Sequence, residues 1–306
     1  MFKRREFLGS TAALAIPFSA RLVHASSIET LISRALPASR QCIPVIGMGS
    51  WLTFDAAGDR HALGSRVKVL AEFFARGGAL IDSSPMYGTS PQTIGHCLSE
   101  LAHPPALFAA TKVWTRGRWL GERQMKKSAY LWGVDGFDLM QVHNLVDVAT
   151  HLETLKEWKA EGRVKYIGVT TSHGRRHAEL EKLMQSGAVD FVQFSYDIVD
   201  REASLRLLPL ALERGIGVII NRPFRRSRVF DRVRAEPLPE WAKEFDCTNW
   251  AQYFLKFIVS HPAVTCTIPA TSRVDHMIEN MGALVGRLPN PSMRARMAKY
   301  YDSLPG

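Results

Sequence analysis

Leu80-Ile81-Asp82-Ser83-Ser84-Pro85-Met86-Tyr87-Gly88 joins an apolar, strand-like run to a loop that carries an acid and, five residues on, a tyrosine. Two later apolar runs end in the same manner. Ala109-Ala110-Thr111-Lys112 finishes on a lysine, and Leu139-Met140-Gln141-Val142-His143 on a histidine. A carboxylate, a phenol, an ammonium and an imidazole delivered from successive strand ends into one shared site are a set for moving protons.

The elements that must position them repeat along the chain: short apolar strand, loop, amphipathic helix, glycine, next strand. Val67, Leu70 and Phe74 share one helical face, as do Leu152, Leu155 and Trp158, and then Leu208 and Leu212. Gly77-Gly78, Gly162 and Gly215 follow these helices, where glycine accepts the left-handed backbone that stops a helix. Eight apolar strands are expected near Val45–Met48, Ala79–Ile81, Leu107–Ala110, Leu139–Val142, Tyr166–Val169, Phe191–Phe194, Val218–Ile220 and Cys266–Ile268. Their hydrophobicity is continuous rather than alternating, which suits parallel strands covered on both faces. Eight strand-then-helix units in this length predict a single (β/α)₈ TIM barrel. The competing doubly wound sheet lacks support, because Gly47-Met48-Gly49 has no third glycine and leads to no helix. Residues 223–239 read as a long irregular loop. In a barrel the chemistry sits at the C-terminal strand ends, so Asp82, Lys112 and His143 are expected just past strands two, three and four, with Tyr87 on the second loop.

The N-terminus reads separately. Lys3-Arg4-Arg5-Glu6-Phe7-Leu8 is a twin-arginine pair before a bulky apolar pair. A mild apolar run from Leu8 to Ala20 follows, and Val23-His24-Ala25 offers a small-residue cleavage site. The layout predicts a twin-arginine export signal at residues 1–25, a barrel domain at 26–306 and a periplasmic location. The apolar run is shorter than the roughly 20 residues a membrane span needs, so no stable insertion is expected after cleavage. The formal charge is +10. Residues 1–25 carry four cations against Glu6, and their removal leaves +7. No aromatic-rich basic stripe accompanies this excess, so nucleic acid is not an expected partner. Anionic ligands are its more natural cause. Cys42, Cys97, Cys247 and Cys266 are widely spaced. No disulfide is expected, because the twin-arginine route exports proteins already folded in a reducing cytosol. His173 and His177 lie four apart but lack a third ligand, and no metal site is expected.

From about Ile43 to Ala283 the sequence resembles the aldo-keto reductases. Asp82 with Tyr87-Gly88 is similar to that family's Asp-x-x-x-x-Tyr-Gly signature. Thr111-Lys112 and Val142-His143 resemble its lysine and histidine strands, and Gly168-Val169-Thr170 its Gly-Val-Ser strand five. Gln193 occupies the place of its strand-six glutamine, and Ile268-Pro269-Ala270-Thr271-Ser272 with Glu279-Asn280 resembles its C-terminal cofactor motif. The resemblance implies hydride transfer between a nicotinamide and a carbonyl. Tyr87 would be the general acid, its pKa drawn down from about 10 by Lys112. Asp82 would hold Lys112 charged, and His143 would orient the carbonyl. Thr170 and Gln193 would bind the carboxamide, with Thr271, Ser272, Arg273, His276, Glu279 and Asn280 at the adenosine end. Arg273 and His276 favour NADPH over NADH, although Ala270 replaces a lysine seen in some relatives.

Two departures stand out. Asn221 sits where the family places a ring to stack on the nicotinamide, with Phe224 as a candidate substitute. Beyond it Arg222, Arg225, Arg226 and Arg228 crowd a loop where guanidinium forks suit phosphate. Trp51, Trp114 and Asn144 adjoin strand ends and are expected to line the substrate mouth. The expected function is reduction of a small-molecule aldehyde or ketone by an NADP(H)-dependent enzyme, with the export machinery as partner. The alternatives are a non-catalytic nucleotide-binding redox sensor or regulatory subunit on the same barrel, and an isomerase or lyase that uses the site for proton chemistry alone.

Overall fold

The structure is a computed structural model and describes residues 30–36, 39 and 41–305. The twin-arginine segment at residues 1–25 lies outside the described residues. The described chain opens with an antiparallel hairpin, β1 (Ser33–Ala35) and β2 (Cys42–Pro44). Eight parallel strands follow in sequence order: β3 (Met48–Gly49), β4 (Leu80–Asp82), β5 (Phe108–Val113), β6 (Phe137–Val142), β7 (Val164–Thr170), β8 (Phe191–Ser195), β9 (Gly217–Asn221) and β10 (Cys266–Thr267). Main-chain bonds close the ring: Gly47 N donates to Thr267 O at 2.8 Å, and Thr267 N to Val45 O at 2.9 Å. The expected (β/α)₈ barrel is therefore the fold.

The helices that cover it are α1 (Arg60–Ala75), α2 (Ser90–Glu100), α3 (Arg118–Trp132), α4 (Val148–Ala160), α5 (His177–Gln185), α6 (Leu207–Arg214), α7 (Trp250–Val259) and α8 (Val274–Met281), followed by α9 (Pro291–Ser303). The glycine stops are where expected, with Gly77, Gly162 and Gly215 at φ of 85°, 74° and 63°. Asp59 caps α1 by accepting from His61 N and Ala62 N. Trp250 at the start of α7 donates to Glu236 O at 2.9 Å and stacks on Tyr300 of α9. Buried Lys256 donates to four backbone carbonyls, including Phe245 at 2.8 Å and Val285 at 2.9 Å, which ties α7 to the segment before α9.

Side chains alternate along a strand, so residues two apart share a face. Leu80, Phe108, Ala110, Leu139, Tyr166, Phe191 and Ile219 form one buried apolar cluster with Leu36 and Ile43 of the hairpin. One further step of two along the same faces reaches Asp82, Lys112, Gln141, Gln193 and Asn221. The strands thus build an apolar floor, plugged by the hairpin, beneath a polar layer. The Gly47-Met48-Gly49 run has a packing role here. A Cβ on Gly47 would lie 2.8 Å from Leu80 O, and one on Gly49 2.8 Å from Ile268 O, so the neighbouring backbones leave no room for a side chain.

Two expectations about placement need correction. Asp82 is the last residue of β4 and Lys112 lies within β5, so both are on strands rather than past them; only His143 begins the short 3₁₀ turn after β6. The stretch 223–239 is not wholly irregular, since Arg228–Val233 forms a 3₁₀ helix.

Candidate active site

Parallel registry sets Asp82 level with Ala110 and Lys112 level with Gln141, which gathers the polar layer into one network. Lys112, fully buried, donates to Asp82 Oδ2 and, at 2.8 Å, to Ser83 O. The other carboxylate oxygen of Asp82 accepts from Gln141 Nε2 and Gln193 Nε2, each at 3.0 Å. A carboxylate and an ammonium removed from water in this way need their remaining hydrogen-bonding capacity met, and two amides and a carbonyl meet it. Burial lowers the pKa of Lys112, while the charge of Asp82 opposes that shift.

Tyr87 stands over this pair. The Lys112 ammonium lies 5.1 Å from the centre of its ring, and His143 meets the ring edge-on at 5.7 Å. Burial raises the phenol's pKa well above its ordinary value, and the charge of Asp82 adds to the rise. The expectation that Lys112 draws Tyr87 downwards is thereby corrected: its charge is countered at close range by Asp82, and desolvation dominates. The phenol stays protonated and is a hydrogen donor. His143 moves the other way, down to about 2, because burial and the Lys112 charge both disfavour imidazolium. Its Nδ1 lies 2.8 Å from Ser84 Oγ. When Ser84 donates, the neutral ring carries its proton on Nε2.

The cofactor candidates fall into two groups. In one, Thr170 Oγ1 accepts from Asn144 N at 3.1 Å. Asn221 accepts from Ser195 Oγ at 2.7 Å and donates to Thr171 O at 2.9 Å, with Gln193 Oε1 at 3.5 Å. Asn221 is thus an anchor of the polar layer. Phe224, the candidate substitute for the missing ring, packs against Phe230 beside the core. In the other group Thr271 Oγ1 accepts from Arg273 N at 3.1 Å, and the Arg273 side chain pairs with Asp275 at the surface. Ser272 O accepts from Ser65 Oγ at 3.2 Å, His276 and Glu279 are exposed, and Asn280 is buried. The first group lies at the ends of β7, β8 and β9, and the second on the loop after β10 and on α8.

Between them the arginines form a cavity of about 250 Å³ lined by Arg222, Arg225, Arg226, Arg228 and His173. His173 is exposed and lines this cavity. Arg222 Nη1 and Thr171 Oγ1 are buried without a hydrogen-bond partner among the described residues. Four guanidiniums with no carboxylate in the lining, and an orphaned donor among them, fit the phosphates of a nucleotide. Trp51 lies 6.3 Å from Tyr87 and carries the Arg226 guanidinium over its ring at 4.4 Å. Trp114 is exposed, its carbonyl held by Gln124 Nε2 at 3.1 Å. Asn144 has a left-handed backbone, φ 52°, and accepts at its carbonyl from Arg176 Nη1 at 2.7 Å. Among the described residues no His, Cys, Asp or Glu cluster could hold a metal ion, and Cys97, Cys247 and Cys266 are buried free thiols.

Sequence reading overlooked Ser84, Gln141 and Ser195. Gln141 could have been noticed, being a lone amide inside an apolar strand, two residues past Leu139. Ser84 and Ser195 have no such signature.

The barrel thus brings buried Asp82, Lys112 and His143 together at its strand ends beneath the partly exposed Tyr87, an arrangement suited to proton transfer. Residues 45–300 match the aldo/keto reductase family, and the chain belongs to that family of NAD(P)H-dependent oxidoreductases. It is 26% identical over 231 residues to the NADH-specific methylglyoxal reductase of Escherichia coli (strain K12), covering 65% of this chain and 69% of that protein. It is also 26% identical over 247 residues to pyridoxine 4-dehydrogenase of the same organism, covering 74% and 82%. Among solved structures it resembles an aldo/keto reductase from Klebsiella pneumoniae in complex with NADP and acetate, with a TM-score of 0.73 and 20% identity over 86% of this chain and 93% of that one.

Proposed function

We propose that this chain reduces an aldehyde or ketone with NADPH as its preferred nicotinamide and NADH as the alternative. The observation that carries the reading is the convergence of Tyr87, Lys112, Asp82 and His143 in one network at the barrel mouth. Bound there, the nicotinamide supplies the hydride. Tyr87, kept protonated, gives its proton to the oxygen that becomes an alkoxide. His143 Nε2–H, oriented by Ser84, holds the same oxygen in line. Lys112 faces the Tyr87 ring and is positioned to stabilise the phenolate left behind, while Asp82 and the amides of Gln141 and Gln193 fix the lysine. Thr170, Thr171 and Asn221 are the groups available to the carboxamide, Arg222 and its neighbours to the phosphates, and Arg273 with His276 to the adenosine end. The exposed Arg273–Asp275 pair is weakly held, so Arg273 can change partner at little cost.

Replacing Tyr87 by Phe tests the assignment. Turnover should fall about 10²–10⁴-fold, with NADPH binding, followed by fluorescence titration, unchanged. A second reading, a nucleotide-binding redox sensor, draws on Asn221 standing in place of a stacking ring. Under that reading the Tyr87→Phe protein keeps its function.

We also propose that the protein is exported through the twin-arginine route and works in the periplasm. Arg4-Arg5 with Phe7-Leu8 and the small-residue site at Val23-His24-Ala25 support this. NADP(H) is regenerated in the cytosol, so an exported reductase would travel with its nucleotide bound, and the arginine cavity offers the grip.

A further inference from the structure

Eleven large apolar side chains are exposed among the described residues, and five of them follow three neighbouring strands, three on the loops and two at the start of α3. Leu52 comes after β3, Met86 after β4, and Trp114, Trp119 and Leu120 after β5. Parallel strands place all three loops at one end, around the mouth that holds Tyr87. Leu52, Trp119 and Leu120 are 60%, 66% and 49% exposed. Leu52 also keeps a left-handed backbone, φ 64°, a conformation unfavourable for leucine that persists only where its surroundings impose it. Single exposed apolar residues are ordinary on protein surfaces, whereas a group on adjoining loops marks an interaction surface.

The charges around the group indicate what it meets. Arg116, Arg123 and Lys127 are exposed and make no ion pair among the described residues. Arg123 lies over the Trp119 ring at 4.6 Å. Trp119, Arg123 and Lys127 are four residues apart along α3 and so share its outer face, opposite the buried Gly121, Met125 and Ser128. Arg116 also feels the charge of Asp147, and Glu122 is held by Arg118 and Lys126, so the cations outnumber the carboxylates here. Indole and leucine tips among such cations suit the boundary between acyl chains and anionic headgroups, where tryptophan is preferred and each cation is attracted to the surface. No helix among the described residues is long and apolar enough to cross a membrane, so such contact would be peripheral.

We infer that the rim formed by Leu52, Met86, Trp114, Trp119 and Leu120, with Arg116, Arg123 and Lys127 around it, docks this protein reversibly on an anionic phospholipid surface. Docking in this way turns the barrel mouth towards the bilayer.

The test is co-sedimentation of the full chain with vesicles of phosphatidylcholine alone and of phosphatidylcholine with phosphatidylglycerol. Wild type should partition onto the anionic vesicles roughly tenfold more strongly than onto the neutral ones, and the preference should collapse in salt of about 1 M. The double variant Trp119→Ser, Leu120→Ser should weaken anionic-vesicle binding roughly tenfold, with circular dichroism and thermal midpoint unchanged. Because wild type and variant share the same N-terminal residues, the difference between them reports the rim alone. Equal partitioning of the two proteins overturns the proposal. So does a finding that these substitutions dissolve a dimer while vesicles never bind, which would make the rim a contact between copies of the chain. The readout does not use turnover, so its failure leaves the carbonyl-reductase reading standing, and failure of that reading leaves this one standing.

Discussion

The imidazole of His143 titrates very differently in the folded and unfolded chain. Unfolded, it takes a proton near pH 6.5; folded, its pKa is pushed down to about 2 by burial and by Lys112. Between these values the unfolded chain holds a proton that the native chain lacks. Native stability therefore falls as pH drops below 6.5 and is restored as pH rises above it. Substituting His143→Gln removes that proton from the difference while leaving an amide able to bond Ser84. The stability gap between wild type and variant should narrow on acidification by at most about 1.4 kcal/mol per pH unit. Urea unfolding at a series of pH values from neutral to mildly acidic measures it. Parallel stability curves would assign the acid sensitivity to other groups, of which His261, lowered to about 4 by burial, is one. Under the proposed function the same neutrality would serve the chemistry, because an uncharged ring with its proton on Nε2 can hydrogen-bond a carbonyl without competing with Tyr87 as acid.

At the scale of elements, the segment after β9 is under visible tension. Arg222, Arg225, Arg226 and Ser227 all have φ between 47° and 68°, and the guanidiniums repel one another. Burial and the neighbouring Arg226 and Arg225 charges lower the pKa of Arg222. Arg225 finds Asp197 at 3.6 Å and Arg226 finds Trp51, but Arg222 Nη1 finds nothing. Strain of this sort collects at ligand sites. Replacing Arg222 by Met should accordingly move two quantities in opposite directions. The nucleotide-free protein should melt no lower than wild type, since a buried unsatisfied donor is removed, while NADPH should bind roughly 10–100-fold more weakly. Calorimetric titration and thermal melts read both, and a lowered melting point with unaltered NADPH affinity would make Arg222 a structural residue.

How much of this was legible in the sequence depended on each element's environment. The eight barrel strands announced themselves because strands buried on both faces are continuously apolar, and their ends were misjudged by a few residues where polar side chains such as Asp82 and Lys112 continue the strand. The hairpin β1–β2 was missed. Its strands are three residues each and half-exposed, too short to show a periodicity, and only Leu36 and Ile43 enter the floor cluster. The convergence of Asp82, Lys112 and His143 was readable from their positions at the ends of apolar runs, and that of Tyr87 from its place on the loop after Asp82. The inverted titration of Tyr87 was not, since burial is a property of the assembled barrel rather than of any spacing along the chain.

At the scale of the whole molecule, cations gather in the N-terminal segment, in the arginine cavity and at the rim near α3. The N-terminal share leads to the last prediction. A chain exported unfolded would lose its nucleotide, whereas one exported folded keeps whatever the barrel grips. If Arg4-Arg5 is read by the folded-protein export route, changing both to Lys preserves the charge and removes the bidentate forks on which such recognition depends. The variant should remain in the cytosol, with the same turnover per molecule as the exported wild type, because residues 4 and 5 lie far in sequence from the 82–280 site. Cell fractionation followed by assay measures this directly. The wild-type protein from the exported fraction should also release NADP(H) on denaturation, seen in its ultraviolet spectrum. Export of the Lys-Lys variant at the wild-type level would exclude the twin-arginine route. An exported wild type that carries no nucleotide and binds NADPH only weakly would separate the two ideas, keeping export and removing the resident cofactor.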